Sequence, residues 1–97
     1  MEENFLKTTE DLMRLIRDRK KKMPKNSYTA SLFKKGKSEI AKKVSEEAIE
    51  TAIASMENSK KHLVYEAADL WYHLLVLLVS RNISLDEISK ELKSRYK

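Results

Sequence analysis

A chain of 97 residues with 41% hydrophobic residues and a formal net charge of +5 has room for one small domain, which excludes a two-domain organisation. It contains no cysteine, so disulfides, thiolate nucleophiles and cysteine zinc sites are excluded, and a metal ion would need oxygen or histidine ligands. One glycine and one proline supply too few turn residues for an all-β architecture, and the composition favours helices.

The first predicted helix ends near Lys22, just before Pro24, and begins with Thr8 and Asp11 spaced as in a capping box. Its apolar residues recur at helical spacing: Phe5, Leu12, Leu15 and Ile16. Positive charge is concentrated around the end of this helix, because residues 14–43 carry a net charge of +10 and the remaining residues sum to −5. Such a segment attracts the phosphate groups of a nucleic acid, a lipid surface or a free nucleotide.

The polar residues 25–29 are predicted to form a loop, followed by a short helical turn over residues 30–35 that Gly36 closes. Ser38 is the predicted N-cap of a second main helix that runs to about Met56. An apolar stripe follows the predicted inner face of this helix: Ile40, Ala41, Val44, Ala48, Ile49, Ala52, Ile53 and Met56.

The third predicted helix, residues 60–81, is apolar nearly all round, which is typical of a helix buried on most sides. Ser84 and Glu87 then form a capping box for a fourth helix, with Ile83 and Ile88 placed as a hydrophobic staple. The longest apolar stretch, residues 70–79, is too short to span a bilayer, so no membrane partner is expected. The acidic start of the chain, with no apolar segment behind it, predicts no signal peptide and a cytoplasmic location.

Acidic residues occur at helical spacings on both long helices. Glu66 and Asp69 lie three residues apart on the most apolar predicted helix, where unpaired carboxylates are costly. On the preceding helix Glu47 and Glu50 have the same spacing, and Glu46 lies four residues before Glu50. Four or five acids around one point repel one another unless a cation fills the site, and Mg²⁺ suits a site made of oxygen ligands. The sequence therefore predicts a magnesium site between these two helices.

Beyond the acids, the chain resembles the phosphoribosyl-ATP pyrophosphatases of histidine biosynthesis, which belong to the all-α, MazG-like nucleotide pyrophosphatase superfamily. The resemblance runs from about Leu12 to Arg95, and its signature is Glu-Glu-x-x-Glu followed by Glu-x-x-Asp. The residues that carry it are Arg19-Lys20, Pro24, Ser27-Tyr28-Thr29, Leu32-Phe33, Gly36, Ile40-Ala41, Lys43-Val44, Glu46-Glu47, Glu50-Thr51, Glu66, Asp69-Leu70 and Tyr72-His73-Leu74-Leu75-Val76-Leu77-Leu78. Ser45 departs from the pattern, because the family usually has glycine there.

The resemblance implies an all-α domain of four main helices over residues 1–97, assembled as a homodimer or a higher oligomer. It implies hydrolysis of 1-(5-phosphoribosyl)-ATP to 1-(5-phosphoribosyl)-AMP and pyrophosphate with Mg²⁺, and a functional link to a separate phosphoribosyl-AMP cyclohydrolase. The implied metal ligands are Glu47, Glu50, Glu66 and Asp69. The implied catalytic residues are Glu46, which would orient or deprotonate the water, and Lys43. The implied substrate-binding residues are Arg19, Lys20, Ser27, Tyr28, Thr29, Lys42 and His73.

Two other interpretations remain open at the level of sequence. A house-cleaning pyrophosphatase for ordinary or damaged nucleoside triphosphates would share the acidic site but would not need the Ser27-Tyr28-Thr29 loop. A basic helical nucleic-acid-binding protein would explain the positive segment but not Glu66 and Asp69.

The apolar third helix also predicts an assembly, in which Trp71, Leu75 or Leu78 reaches a second copy.

Overall fold

The computed structural model describes residues 4–96, and this part of the chain is helical without strands. Five helices follow one another: α1 (Phe5–Lys22), α2 (Tyr28–Lys35), α3 (Lys37–Ala54), α4 (Lys60–Ser80) and α5 (Leu85–Ser94). The all-α fold and its four main helices are confirmed. The predicted short turn is a complete two-turn helix, α2, which begins at Tyr28 and so takes in the end of the predicted loop.

Two of the predicted helix starts are wrong. The capping residue of α1 is Asn4, whose Oδ1 accepts a hydrogen bond from the Lys7 backbone at 3.1 Å, and the predicted box residue Thr8 lies inside the helix. The other wrong start is Ser38, because α3 begins at Lys37 directly after Gly36, whose φ of 99° ends α2 and turns the chain. The capping box at the start of α5 is confirmed.

The core forms where the C-terminal half of α4 meets α1, α2 and α3. Its buried residues come from all four of these helices: Met13, Ile16, Leu32, Ile40, Leu75, Val76, Leu78 and Val79. Helix α1 turns Thr9, Met13 and Ile16 inward, and two residues of the apolar pattern, Phe5 and Leu15, are exposed. The Trp71 indole donates to Thr9 Oγ1 at 3.1 Å and ties α1 to α4.

Helix α4 is buried along its second half and partly exposed along its first half. It is long and apolar enough to cross a membrane by length and composition, yet its buried residues form the core of the domain. Val64 and Tyr65 near its start are exposed, so the expectation of burial on most sides is wrong for that half. Leu75 and Leu78 are buried within their own chain, so of the three residues predicted to reach a second copy only the partly buried Trp71 keeps an accessible surface for one, and that contact stays a prediction.

Candidate functional site

Helices α3 and α4, joined by residues 55–59, make the most extensive helix contact in the described chain and bring four carboxylates together. One oxygen from each of Glu47, Glu50 and Glu66 lies within 4.8 Å of the others. Glu47 also belongs to a second such group with Asp69 and His73. The structure therefore places the four predicted metal ligands in one cluster with Glu47 at its centre.

The carboxylates of the cluster differ in burial, and burial changes their pKa values. Glu47 is only 5% exposed and Glu66 only 8%, whereas Glu50 faces solvent. Burial, followed by hydrogen bonding with Asp69 and the nearby charges of Asp69 and Glu50, raises the pKa of Glu47 to about 7. Burial and the neighbouring Glu50 raise the pKa of Glu66 as well, against an opposing effect of His62.

Two carboxylate oxygens in this cluster lack a partner. Glu47 Oε2 and Glu66 Oε2 are buried and accept no hydrogen bond within the described residues. Buried polar atoms normally have a partner, so these two oxygens have lone pairs free to coordinate a ligand. A hard divalent cation coordinated by oxygen fits this donor set, and Mg²⁺ is such a cation.

Thr51 holds the two helices in register beneath the cluster. Its Oγ1 lies 2.7 Å from the Glu47 carbonyl oxygen and 3.1 Å from the Glu66 carbonyl oxygen, so one hydroxyl hydrogen is shared between α3 and α4. Sequence reasoning gave Thr51 no role. Its spacing of four residues from Glu47, on the same helix face, is the signal that would have identified it.

His62 is a second residue that sequence reasoning missed. It lies in the first turn of α4, where Nδ1 is 2.7 Å from Glu57 Oε1 and Nε2 is 3.5 Å from Glu66 Oε1. The hydrogen bond with Glu57 raises the pKa of His62, and the charges of Glu57 and Glu66 add to the rise. The imidazole therefore places a proton-binding group at the edge of the carboxylate cluster.

On α3, Lys43 supplies positive charge beside the cluster. Its Nζ lies 3.5 Å from Glu46 Oε1 and 3.8 Å from Glu47 Oε1. The charge of Tyr28 in its ionised form, and then Glu46 and Glu47, raise the pKa of Lys43 above its usual value. Glu46 is half-exposed at the rim and Lys42 is exposed. Among the predicted basic residues, Lys43 is therefore one that the fold places beside the carboxylate cluster.

The start of α2 meets α4 next to Asp69. The Tyr28 hydroxyl lies 3.0 Å from His73 Nε2, and Thr29 forms a hydrogen bond with the Tyr72 hydroxyl. His73 Nδ1 lies 2.8 Å from the Asp69 carbonyl oxygen and 3.3 Å from Asp69 Oδ1.

Two predicted substrate-binding residues in this region already have structural contacts. Ser27 is the N-cap of α2, and its Oγ accepts a hydrogen bond from the Ala30 backbone. His73 is buried and lies behind Asp69, with both of its ring nitrogens in contact with the protein.

Two further predicted binding residues, Arg19 and Lys20, have their contacts outside the carboxylate cluster. Arg19 pairs with Asp18 at 3.0 Å and lines an open cavity with Ser27. Lys20 donates to the Val79 carbonyl oxygen at 3.3 Å. Since Val79 follows Asp69 by ten residues on α4, Lys20 sits about 15 Å further along that helix. Ser45, the departure from the family pattern, is exposed and donates to the Ala41 carbonyl oxygen at 3.0 Å.

Comparison with known proteins gives a consistent result. A family model described as phosphoribosyl-ATP pyrophosphohydrolase matches residues 9–96. A phosphoribosyl-ATP pyrophosphatase of Metallosphaera sedula is 52% identical over 91% of this chain and 95% of its own length. One of Leptospira biflexa is 48% identical over 95% of this chain and 97% of its own length. The histidine biosynthesis bifunctional protein HisIE of Thermotoga maritima is 45% identical over 90% of this chain, which spans only 44% of that relative.

Proposed function

Because the chain belongs to the phosphoribosyl-ATP pyrophosphohydrolase family, we propose that it hydrolyses 1-(5-phosphoribosyl)-ATP to 1-(5-phosphoribosyl)-AMP and pyrophosphate in histidine biosynthesis. The observation that carries the proposal is the buried carboxylate cluster with its two orphaned oxygens. Breaking a phosphoanhydride requires charge neutralisation and an aligned water rather than covalent chemistry by the protein. The carboxylate cluster can hold a cation that neutralises charge and can align a water, and Lys43 adds positive charge.

Within this proposal the four carboxylates of Glu47, Glu50, Glu66 and Asp69 hold Mg²⁺. The cation, when bound, neutralises charge on the phosphate chain. Glu46 lies at the rim with a half-exposed carboxylate, where it can accept a proton from the attacking water. Its ion pair with Lys43 orients that carboxylate, and the ammonium, 3.8 Å from Glu47 Oε1, is close enough to the cluster to stabilise phosphate charge that develops there.

One assay tests the proposed function directly. Purified protein with Mg²⁺ should release pyrophosphate from phosphoribosyl-ATP with a kcat/KM at least about a hundredfold above that for ATP, because a built site discriminates by hydrogen bonds to the extra group. Equal rates on ordinary nucleoside triphosphates would support the house-cleaning alternative. No release from either substrate, with steeply salt-dependent retention on DNA, would support the nucleic-acid alternative.

The positions of the basic residues predict different kinetic effects. Lys43→Ala should lower kcat about tenfold or more, because Lys43 lies at the acids where charge develops during reaction. Arg19→Ala and Lys20→Ala should mainly raise KM, since neither side chain contacts a carboxylate of the cluster. Steady-state kinetics on the three variants measure this division. Lys90→Ala on α5 is the matched control and should change neither constant. Equal effects in all four variants would contradict the predicted division between kcat and KM.

We also propose that a second copy of the chain covers an exposed apolar patch beside the site. The patch consists of residues on α3, on α4 and in the connection between them that are each more than half exposed: Ile49, Ile53, Met56, Val64 and Tyr65. Ile49 directly precedes Glu50 on α3 and Tyr65 directly precedes Glu66 on α4, so the patch and the cluster lie on the same two helix segments. A domain this small gains stability from burying such a surface against its own copy, as closed symmetric dimers do.

The assembly is tested by changing a residue that the single chain does not bury. Ile53→Asp should convert a wild-type dimer into a monomer in light scattering at micromolar concentration, because a charge in an apolar interface is left unpaired. Leu92→Asp is the matched control, since Leu92 is exposed to a similar degree on α5, and it should leave the dimer intact. A monomeric wild type would contradict the assembly.

The bifunctional relatives support a link to the next reaction. The chain spans less than half of the HisIE protein of Thermotoga maritima, so a second segment accompanies the matching one in that relative. We infer that this chain passes phosphoribosyl-AMP to a separate cyclohydrolase in the cytoplasm.

A further inference from the structure

A basic cavity lies between the C-terminal half of α1 and the turn that joins α4 to α5. Its volume of about 430 Å³ falls within the range of about 300–1,000 Å³ that is typical of pockets for small molecules. Three of its lining residues are basic, and none of the described residues that line it carries a carboxylate. The lining residues are Arg17, Lys20, Lys21, Val79, Asn82, Ile83 and Ser84. The basic cavity therefore concentrates positive charge in a concave place, which attracts anions.

The three cations reach the basic cavity from one face of α1. Residues three and four positions apart lie side by side on a helix, so Arg17, Lys20 and Lys21 are neighbours that repel one another. Glu10 and Asp86 line an adjoining cavity with Arg17, yet no ion pair among the described residues involves any of the three cations. An anion bound between the three cations relieves their repulsion, so the arrangement favours a negatively charged occupant.

Lys20 is held in place and still has hydrogens to donate. Its Nζ donates to the Val79 carbonyl oxygen at 3.3 Å, which ties the end of α1 to the last turn of α4. An ammonium carries three hydrogens, so two remain after this bond. The exposed side chains of Arg17, Lys21 and Asn82 add further donors around the same cavity. Such a set of donors suits a ligand that carries several acceptor oxygens, as a phosphate group does.

A neighbouring cavity shows how the protein neutralises such charge elsewhere. Asp18, Arg19 and Lys22 line it, and the Asp18 carboxylate lies 3.0 Å from Arg19 Nη1 and 3.1 Å from Lys22 Nζ. The protein thus supplies its own anion to two of the cations there. In the basic cavity the start of α5 supplies no free donor at Ser84, because the Ser84 backbone donates to Glu87 Oε2 at 2.8 Å. The site therefore depends on side-chain cations and not on a helix terminus.

We propose that the basic cavity is a binding site for a phosphate group, held by Arg17, Lys20 and Lys21. It takes a small molecule rather than a polymer, because its three cations converge on one cavity. Val79 follows Asp69 by ten residues on α4, about 15 Å along the helix, so this site is distinct from the carboxylate cluster. The phosphate belongs either to a separate small molecule or to the phosphoribosyl end of the substrate. Only the second source rests on the proposed function.

Titration with inorganic phosphate tests the site without any substrate. The full-length protein is used without added divalent cations, so that phosphate has no metal to bind at the carboxylates, and chloride keeps the ionic strength constant. We expect saturable NMR shifts at the end of α1 and around Asn82, and a Tm about 5 °C or more higher at about ten times Kd. Shifts that do not saturate, or that centre on the carboxylate cluster, would overturn the proposal.

Single charge removals distinguish a built site from general positive charge. Arg17→Gln and Lys21→Gln should each raise the phosphate Kd about tenfold or more, as expected for loss of a charge-assisted hydrogen bond. Both side chains are exposed on α1, so neither change should unfold the protein. Lys25→Gln is the matched control, because Lys25 belongs to the same basic segment but lines other cavities. Equal weakening by all three changes would overturn the proposal, because phosphate would then respond only to net charge.

A short single-stranded oligonucleotide tests the polymer alternative. We expect it to bind no more tightly than inorganic phosphate does at physiological salt. Binding about a hundredfold tighter, with a steep salt dependence and a loss of affinity in Arg17→Gln, would overturn the small-molecule site in favour of a nucleic acid.

Kinetics identify the source of the phosphate. If the phosphoribosyl end of the substrate occupies the basic cavity, Arg17→Gln should raise KM for phosphoribosyl-ATP about tenfold and leave kcat within about twofold. Inorganic phosphate should then compete with the substrate in wild type and lose this effect in Arg17→Gln. If a separate molecule is the ligand, KM stays at the wild-type value while Arg17→Gln still loses phosphate binding. If wild type releases no pyrophosphate from phosphoribosyl-ATP, the proposed function fails, and the phosphate titration still decides the site.

Discussion

Replacing Glu50 by glutamine should lower pyrophosphate release from phosphoribosyl-ATP about a thousandfold or more at saturating Mg²⁺. The change keeps the shape of the side chain but removes one charged oxygen from a group of three within 4.8 Å. A bound metal ion contributes several kcal/mol to such a reaction, and each 1.36 kcal/mol corresponds to about a tenfold change in rate. Asp69→Asn should have a similar effect, because Asp69 contacts the central Glu47.

Release of pyrophosphate measures the catalytic loss, and titration of Mg²⁺ by calorimetry measures the metal affinity separately. Glu10→Gln on the exposed surface of α1 is the matched control and should retain full activity and affinity. Full activity of either Glu50→Gln or Asp69→Asn at saturating Mg²⁺ would refute the metal assignment.

Glu47→Gln should stabilise the metal-free protein at pH 7.5 by about 3 kcal/mol, which for a domain of this size raises Tm on the order of 15 °C. The pKa of Glu47 is about 7 in the folded chain against an ordinary value of 4.5. A carboxyl group with the higher pKa in the folded state takes up a proton on folding between these two pH values. Its ionised form therefore destabilises the fold fully above pH 7 and progressively less as the pH falls toward 4.5.

Thermal unfolding without metal measures this effect at two pH values. We expect the Tm advantage of Glu47→Gln over wild type to be large at pH 7.5 and to shrink toward pH 4.5. Glu46→Gln is the matched control, since the neighbouring carboxylate is half-exposed, and its Tm should stay close to that of wild type. Saturating Mg²⁺ should raise the Tm of wild type more than that of Glu47→Gln. A Tm of Glu47→Gln at or below the wild-type value at pH 7.5 would contradict the prediction.

The acidic site could be predicted from the sequence because helical spacing alone decides which side chains share a face. Glu66 and Asp69 lie three residues apart on α4, and Glu47 and Glu50 do so on α3. The face that α3 turns inward could not be predicted in this way. Its exposed face carries Ile49 and Ile53, whereas the buried face includes a glutamate. The pattern of apolar and polar residues was therefore right for Ile40 but pointed to the wrong side of the helix at Ile49 and Ile53.

Contacts between distant residues were beyond the reach of sequence patterns. Tyr28 and His73 are 45 residues apart and meet only because α2 packs near α4. The start of α1 shows a different difficulty, because Asn4 and Thr8 are both good capping residues one turn apart. The structure uses Asn4, so the helix gains a turn that the capping-box pattern does not predict.

The short connection between α3 and α4, residues 55–59, has a consequence for the kinetics of folding. Two successive helices with a short connection close at little entropic cost, so this pair is well placed to form in the transition state. Its carboxylates would then meet before the rest of the core has packed, and their repulsion would slow the folding step. Divalent cations should therefore accelerate refolding more than they slow unfolding, and in a chevron plot they should shift the folding arm rather than the unfolding arm.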